Sequence, residues 1–97
     1  MIDHELMKSV AEQLMTGKTV TIQGKTIPIK HSSYQRLKML EFEMKGKRYQ
    51  AIEQNPEKPS RWGKLAQEGH KVVQFRDVES GKYVAVAVDG EVKEYGG

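Results

Sequence analysis

The stretch VVQFRDVESGKYVAVAVDGEVKEY, residues 72–95, decides the fold. Three β-rich runs, Val72–Val78, Tyr83–Val88 and Glu91–Tyr95, are separated by Glu79-Ser80-Gly81 and by Asp89-Gly90. Asp-Gly between alternating apolar residues signals a two-residue hairpin, because a type I′ turn needs positive φ at both central positions. In the middle run Val84, Val86 and Val88 alternate with Tyr83, Ala85 and Ala87, which is the period of a strand. Connections this short cannot carry a parallel crossover, so the stretch reads as an antiparallel meander.

Working back toward the N-terminus, Ser60 looks like the N-cap of a short helix bearing Trp62, Leu65 and Ala66 on one side and ended by Gly69. Asn55–Pro59 is a loop, since two prolines four residues apart block both helix and central strand. Before it, Leu40, Phe42 and Met44 alternate with Glu41, Glu43 and Lys45. Lys45-Gly46-Lys47 then turns the chain into a returning run over Arg48–Gln54. Ser32-Ser33-Tyr34-Gln35 has the shape of a capping box and predicts a helical turn. Two near-identical segments, Gly17–Gln23 and Gly24–Lys30, predict a hairpin turning at Gln23-Gly24-Lys25, with Pro28 on an edge strand or with its nitrogen facing outward. Ile2, Leu6, Val10 and Leu14 recur every four residues. They predict an amphipathic helix over residues 3–16, capped by Asp3 and closed by Gly17 in the left-handed conformation.

The expected fold is α+β, with one domain spanning residues 1–97. It is an antiparallel sheet or partly open barrel of about five to seven short strands, arranged hairpin, hairpin, meander. An N-terminal helix and one short helix near residues 60–68 accompany it. The 97 residues leave room for one modest core, and Trp62 is expected to be buried in it as the anchor of the short helix.

Composition narrows the function classes. With no cysteine there are no disulfides, thiolate metal sites or cysteine nucleophiles. There is no apolar run of membrane-spanning length and no signal-like start, so a soluble cytoplasmic protein with no membrane association is expected. Two Gly-Lys-Thr triplets, at residues 17–19 and 24–26, lack the upstream glycine of a phosphate-binding loop, because Glu12 and Thr19 stand there. His4, His31 and His70 fall at no metal-ligand spacing, and no local nucleophile signature exists. Glu41 and Glu43 read as the exposed face of a hairpin, opposite Lys45, Lys47 or Arg48. No catalytic residue, metal or cofactor is expected.

Charge is the informative feature. The net charge is only +3, yet residues 18–38 carry five bases and no acid, and residues 58–76 carry five bases against Glu68 alone. The segments around them are acidic on balance. The richest stretch runs from Asn55 to Lys71, where the single tryptophan stands beside Arg61. Guanidinium groups pair with phosphate, an exposed indole stacks on bases, and a helix start after Ser60 offers amide donors. These residues define a non-catalytic module contacting nucleic acid through Lys30, Arg36, Lys38, Lys58, Arg61, Lys64, His70 and Lys71. Lys82 and Lys93, in the acidic C-terminal segment, are expected to contribute little. The alternative is a protein-interaction or self-assembling module that pairs other chains along exposed strand edges, at Val84–Val88 or Glu91–Tyr95. A small-ligand domain or an enzyme without sequence signature is the third reading.

Overall fold

Asp3 caps the first helix: its carboxylate accepts the Leu6 N–H at 3.0 Å, and α1 runs His4–Thr16. The structure, a computed structural model, describes residues 3–32, 37–54 and 61–95. Met7, Val10, Ala11 and Leu14 form the buried stripe of α1 at helical spacing. Gly17 follows, but extended (φ −121°, ψ −171°) rather than left-handed as expected. Its N–H closes on the Gln13 carbonyl at 2.9 Å, and the chain passes directly into a strand. The glycine is needed for space, since a Cβ there would meet the Gln13 carbonyl oxygen at 3.2 Å.

Strands β1 (Thr19–Ile22) and β2 (Lys25–Pro28) form a two-stranded sheet of their own, with Pro28 opposite Thr19 on its edge. The remaining strands are β3 (Lys30–His31), β4 (Lys38–Met44), β5 (Lys47–Glu53), β6 (Val72–Asp77), β7 (Tyr83–Val88) and β8 (Glu91–Glu94). They make one antiparallel sheet in chain order, β3 to β8. The sheet stays open and does not close into a barrel. The expected strand count missed only β3, a two-residue strand too short to show a period. All of the Ser32–Gln35 capping-box turn but Ser32, the loop Asn55–Pro59 and the Ser60 cap lie outside the described residues.

Three hairpins share one turn chemistry. Gln23-Gly24, Lys45-Gly46 and Asp89-Gly90 all have both residues at positive φ, between 49° and 87°, and Ile22, Met44 and Val88 pair with Lys25, Lys47 and Glu91. This is the geometry of type I′ turns, as the Asp89-Gly90 signal predicted. The β6–β7 connection is built differently. The Asp77 carboxylate accepts the Glu79 and Ser80 N–H groups, and its backbone carbonyl accepts Gly81 N–H at 2.8 Å. Asp77 is 8% exposed, with Lys47 Nζ at 3.7 Å from its other oxygen.

Helix α1 packs on one face of the large sheet, the inner face. Leu40, Phe42, Met44, Tyr49, Ala51, Val73, Phe75, Ala85 and Ala87 meet it there, together with Val20 and Ile22 of the small hairpin. Phe42 stands 6.1 Å from both Tyr49 and Phe75, edge-on to the latter. Of the two side-chain sets on β7, the alanines face the helix, which lets α1 approach closely.

Between Phe75 and Arg76 the pairing with β7 slips: Phe75 faces Ala85, but Arg76 faces Tyr83. This bulge inserts Val84 as an extra residue. Simple alternation places Tyr83 with Ala85 and Ala87. The bulge instead sends Tyr83 to the opposite face, while Val84 packs against the main core. Strand β7 is also internal, held between β6 and β8, so Val84–Val88 is not an exposed edge as expected.

The short helix α2 (Arg61–Gln67) packs against β6 on the outer face. Its end is a Schellman motif: His70 N–H reaches the Leu65 carbonyl, Gly69 N–H reaches Ala66, and Gly69 has φ +98°.

Candidate nucleic-acid interface

The outer face is set by parity. Because Leu40, Ala51, Phe75 and Ala85 point inward, their neighbours point outward, and the pairing aligns them in rows. One row reads Lys30, Met39, Ile52, Gln74, Val86, Lys93, and the next reads Glu41, Gln50, Arg76, Tyr83. Val72 and Val86 are each only 1% exposed on this face. A second, smaller apolar layer therefore lies under α2.

Trp62 joins that layer incompletely. It is mostly buried, as expected, but it lies outside the main core cluster. Its ring meets Tyr95 at 6.2 Å between centroids, inclined 62°. The Arg61 guanidinium carbon sits 5.0 Å from the Trp62 ring centroid, a cation–π arrangement. Tyr95 is positioned twice: its N–H bonds the Val84 carbonyl at 3.0 Å, and its hydroxyl accepts Gln74 Nε2 at 3.1 Å. Burial pushes the Tyr95 phenol above its ordinary value of 10.0; the Gln74 hydrogen bond opposes the rise, nearby Tyr83 adds to it and Arg61 opposes it. Tyr83 is 42% exposed, the one exposed large hydrophobic among the described residues. Arg76 is half-buried, and its Nε has no hydrogen-bond partner among the described residues.

The result is one surface bearing Arg61, Trp62, Tyr95, Tyr83 and Arg76, with Lys30, Lys64 and Lys93 on the same face or on the helix covering it. Such a surface offers ring faces and edges for stacking, and guanidinium groups for bidentate contact with an anion. Of the acids on this face, Glu41 and Glu43 lie across β4, where Arg48 ion-pairs with Glu41 and stands opposite Glu43, and Glu91 lies on β8 beside Lys93.

The two basic blocks do not survive folding as units, since strand alternation divides each of them. From the first, Lys30 lies outward on β3. Lys38 instead points inward, with its Nζ 3.5 Å from the Met15 carbonyl at the end of α1 and its N–H on Glu53. From the second, Arg61, Lys64 and Arg76 belong to the outer face. His70 and Lys71 are drawn to the β7–β8 turn by Asp89, whose carboxylate accepts Lys71 N–H at 2.9 Å and meets His70 Nδ1 at 2.7 Å. These bonds, the Lys71 backbone first and His70 second, lower the Asp89 pKa from 3.8. Lys71 also lines a cavity of about 300 Å³ beside Ala11, Met15 and Thr16 of α1, on the inner side. Arg36 and Lys58 lie outside the described residues.

Sequence reading names Arg61, Lys64 and Lys30 and counts Arg76 in its second basic block without naming it as a contact, but it misses Tyr83, Tyr95 and Gln74. The signal for Gln74 and Arg76 was available, because they flank the apolar Phe75 at period two. Tyr83 was hidden by the bulge. Lys93, expected to matter little, lies in the same outward row as Lys30.

No helix among the described residues is long and apolar enough to cross a membrane. No protein-family model matches this chain, and no curated protein or solved structure matches it significantly.

Proposed function

We propose that the protein is a non-catalytic module that binds single-stranded nucleic acid on the outer face of its sheet. The observation that carries this reading is the Arg61–Trp62–Tyr95 group, with exposed Tyr83 and Arg76 on the same face. Bases stack on the aromatic side chains, and Arg61, Lys64, Arg76 and Lys30 meet the phosphates. Stacking on a sheet surface demands unpaired bases, which is why a single strand is favoured over a duplex. Recognition of this kind has little sequence preference, since every base has a ring face.

The test is a titration of a labelled poly-dT oligonucleotide at several salt concentrations. Four phosphate contacts predict a slope of log affinity against log salt of about −3 for a single strand. Arg61→Ala removes one contact and flattens the slope by about 0.7. Tyr83→Ala lowers affinity by roughly tenfold or more with the slope unchanged, because a lost stacking partner is worth ~1–3 kcal/mol. Lys71→Ala, which removes the same charge on the other side of the sheet, leaves affinity nearly intact. Equal losses from Lys71→Ala and Arg61→Ala would reduce the effect to net charge and end this reading.

A further inference from the structure

Strand β8 ends the sheet. Its pairing with β7 places Val88 opposite Glu91 and Val86 opposite Lys93, and the next bonded step is Tyr95 N–H on the Val84 carbonyl. In an antiparallel ladder only alternate residues bond to a given neighbour. Glu91, Lys93 and Tyr95 therefore spend their backbone groups on β7, and Val92 and Glu94 present theirs to the other edge, where no strand among the described residues pairs with them. An unpaired row of this kind is a template for a further strand.

The side chains say which strand fits. Glu91 and Lys93 are exposed and share the outer face, on either side of half-buried Val92. We infer that a second copy of this chain pairs with the β8 edge, antiparallel and centred on Val92. In that register the outward amides and carbonyls of the two Val92 residues bond each other, and Glu94 meets Gly90 of the second copy. Glu91 then faces Lys93 of the other chain, and Lys93 faces its Glu91. Both cross-strand pairs are opposite in charge, and their positions in the ladder bring side chains closest together. A register shifted by one residue in either direction breaks this match. The same charges that deter unrelated strands thus admit the chain itself. Partners in a ladder share a face, so the two outer faces lie side by side in one continuous sheet. The pairing follows from β8 alone and holds whether or not that face binds nucleic acid.

Sedimentation velocity across a range of protein concentrations tests it, with far-ultraviolet circular dichroism to show that each variant is folded. The wild type is expected to show a concentration-dependent monomer–dimer equilibrium. Lys93→Glu and Glu91→Lys each place two like-charged pairs in the interface and weaken dimerisation by about tenfold. Mixing these two single variants restores opposite pairs and regenerates a dimer, now mixed. The double swap Glu91→Lys with Lys93→Glu dimerises by itself. A wild type that stays monomeric at every concentration overturns the inference. So does a dimer indifferent to Lys93→Glu, or a failure of both the mixture and the double swap to recover association.

Discussion

The two faces of the large sheet follow different rules. The inner face carries the main apolar core, with Phe75 fully enclosed and alanines on β7 admitting α1. The outer face is half covered by a seven-residue helix, holds only a small apolar layer around Val72 and Val86, and leaves tyrosines and arginines in reach of solvent. Both faces come from the same strands, with residues one step apart in sequence. Stability is concentrated on one side of each strand, and the other side is free to carry a surface. A run of charge in the sequence is therefore no guide to a charged patch in a β-rich protein, because alternation sends neighbours such as Arg76 and Phe75, or Lys38 and Met39, to opposite sides.

Core truncation is the hardest test of this division. Phe75→Ala should destabilise the domain by ~3–5 kcal/mol, since it opens a cavity between α1 and the sheet that the surrounding strands cannot collapse. For a domain of this size that is much of the total stability. A denaturant midpoint close to wild type would show that the inner face is not the principal core.

Gly90→Val comes next, at more than about 1 kcal/mol. Gly90 has φ +87°, and a Cβ there would lie 3.1 Å from the Glu12 carboxylate on α1. The Glu12 side chain is flexible and can give way, so the strain of a β-branched residue in the left-handed region carries the cost. An unchanged melting temperature would mean that the turn relaxes at no cost and that α1 is not fixed by it.

Trp62→Ala separates the faces most directly. Sequence reasoning treats Trp62 as a mostly buried anchor worth a core residue, but its place outside the main core, on the partly covered outer face, reduces the expected loss to about 1–2 kcal/mol. Its fluorescence maximum should fall between the fully buried and fully exposed limits. The variant should remain folded and bind poly-dT at least several-fold more weakly. Stability loss as large as that of Phe75→Ala would place Trp62 in the main core and leave the outer face without its central ring.

Much of this fold is legible in the sequence because local rules and burial agree. The Asp3 cap, the four-residue spacing of α1, the glycine-bearing hairpin turns and the alternation through Phe42 and Val86 all point one way. What escapes has a physical cause in each case. The bulge at Phe75–Arg76 reverses the phase of Tyr83 and Val84, and a bulge depends on pairing between strands rather than on either strand alone. Gly17 is extended because the chain passes directly from α1 into β1. Strand β3 is too short to have a period. The candidate surface was legible only in part: Arg61 and Trp62 stand adjacent in the chain, but Tyr95 joins them through the meander, more than thirty residues later.

The smallest expected effect concerns Asp89, which ties the His70–Lys71 half of the second block to the β7–β8 turn. Its carboxylate accepts the Lys71 N–H and the His70 side chain, so its folded pKa lies below the ordinary 3.8. A carboxyl depressed in the folded state binds fewer protons folded than unfolded as pH falls through that range. Its contribution is thus complete above the ordinary value and is lost as pH drops toward the folded pKa. Asp89→Asn removes this linkage while keeping an oxygen that accepts the Lys71 N–H. The melting temperatures of wild type and Asp89→Asn should differ at neutral pH and converge as the solution is acidified below 3.8. Because Asp89 is exposed, the gap should also narrow with added salt. Poly-dT affinity at neutral pH should be the same for both proteins. Tighter binding by Asp89→Asn would mean that His70 and Lys71, once released, reach the bound strand, and the boundary between the two faces would have to be redrawn at the β7–β8 turn.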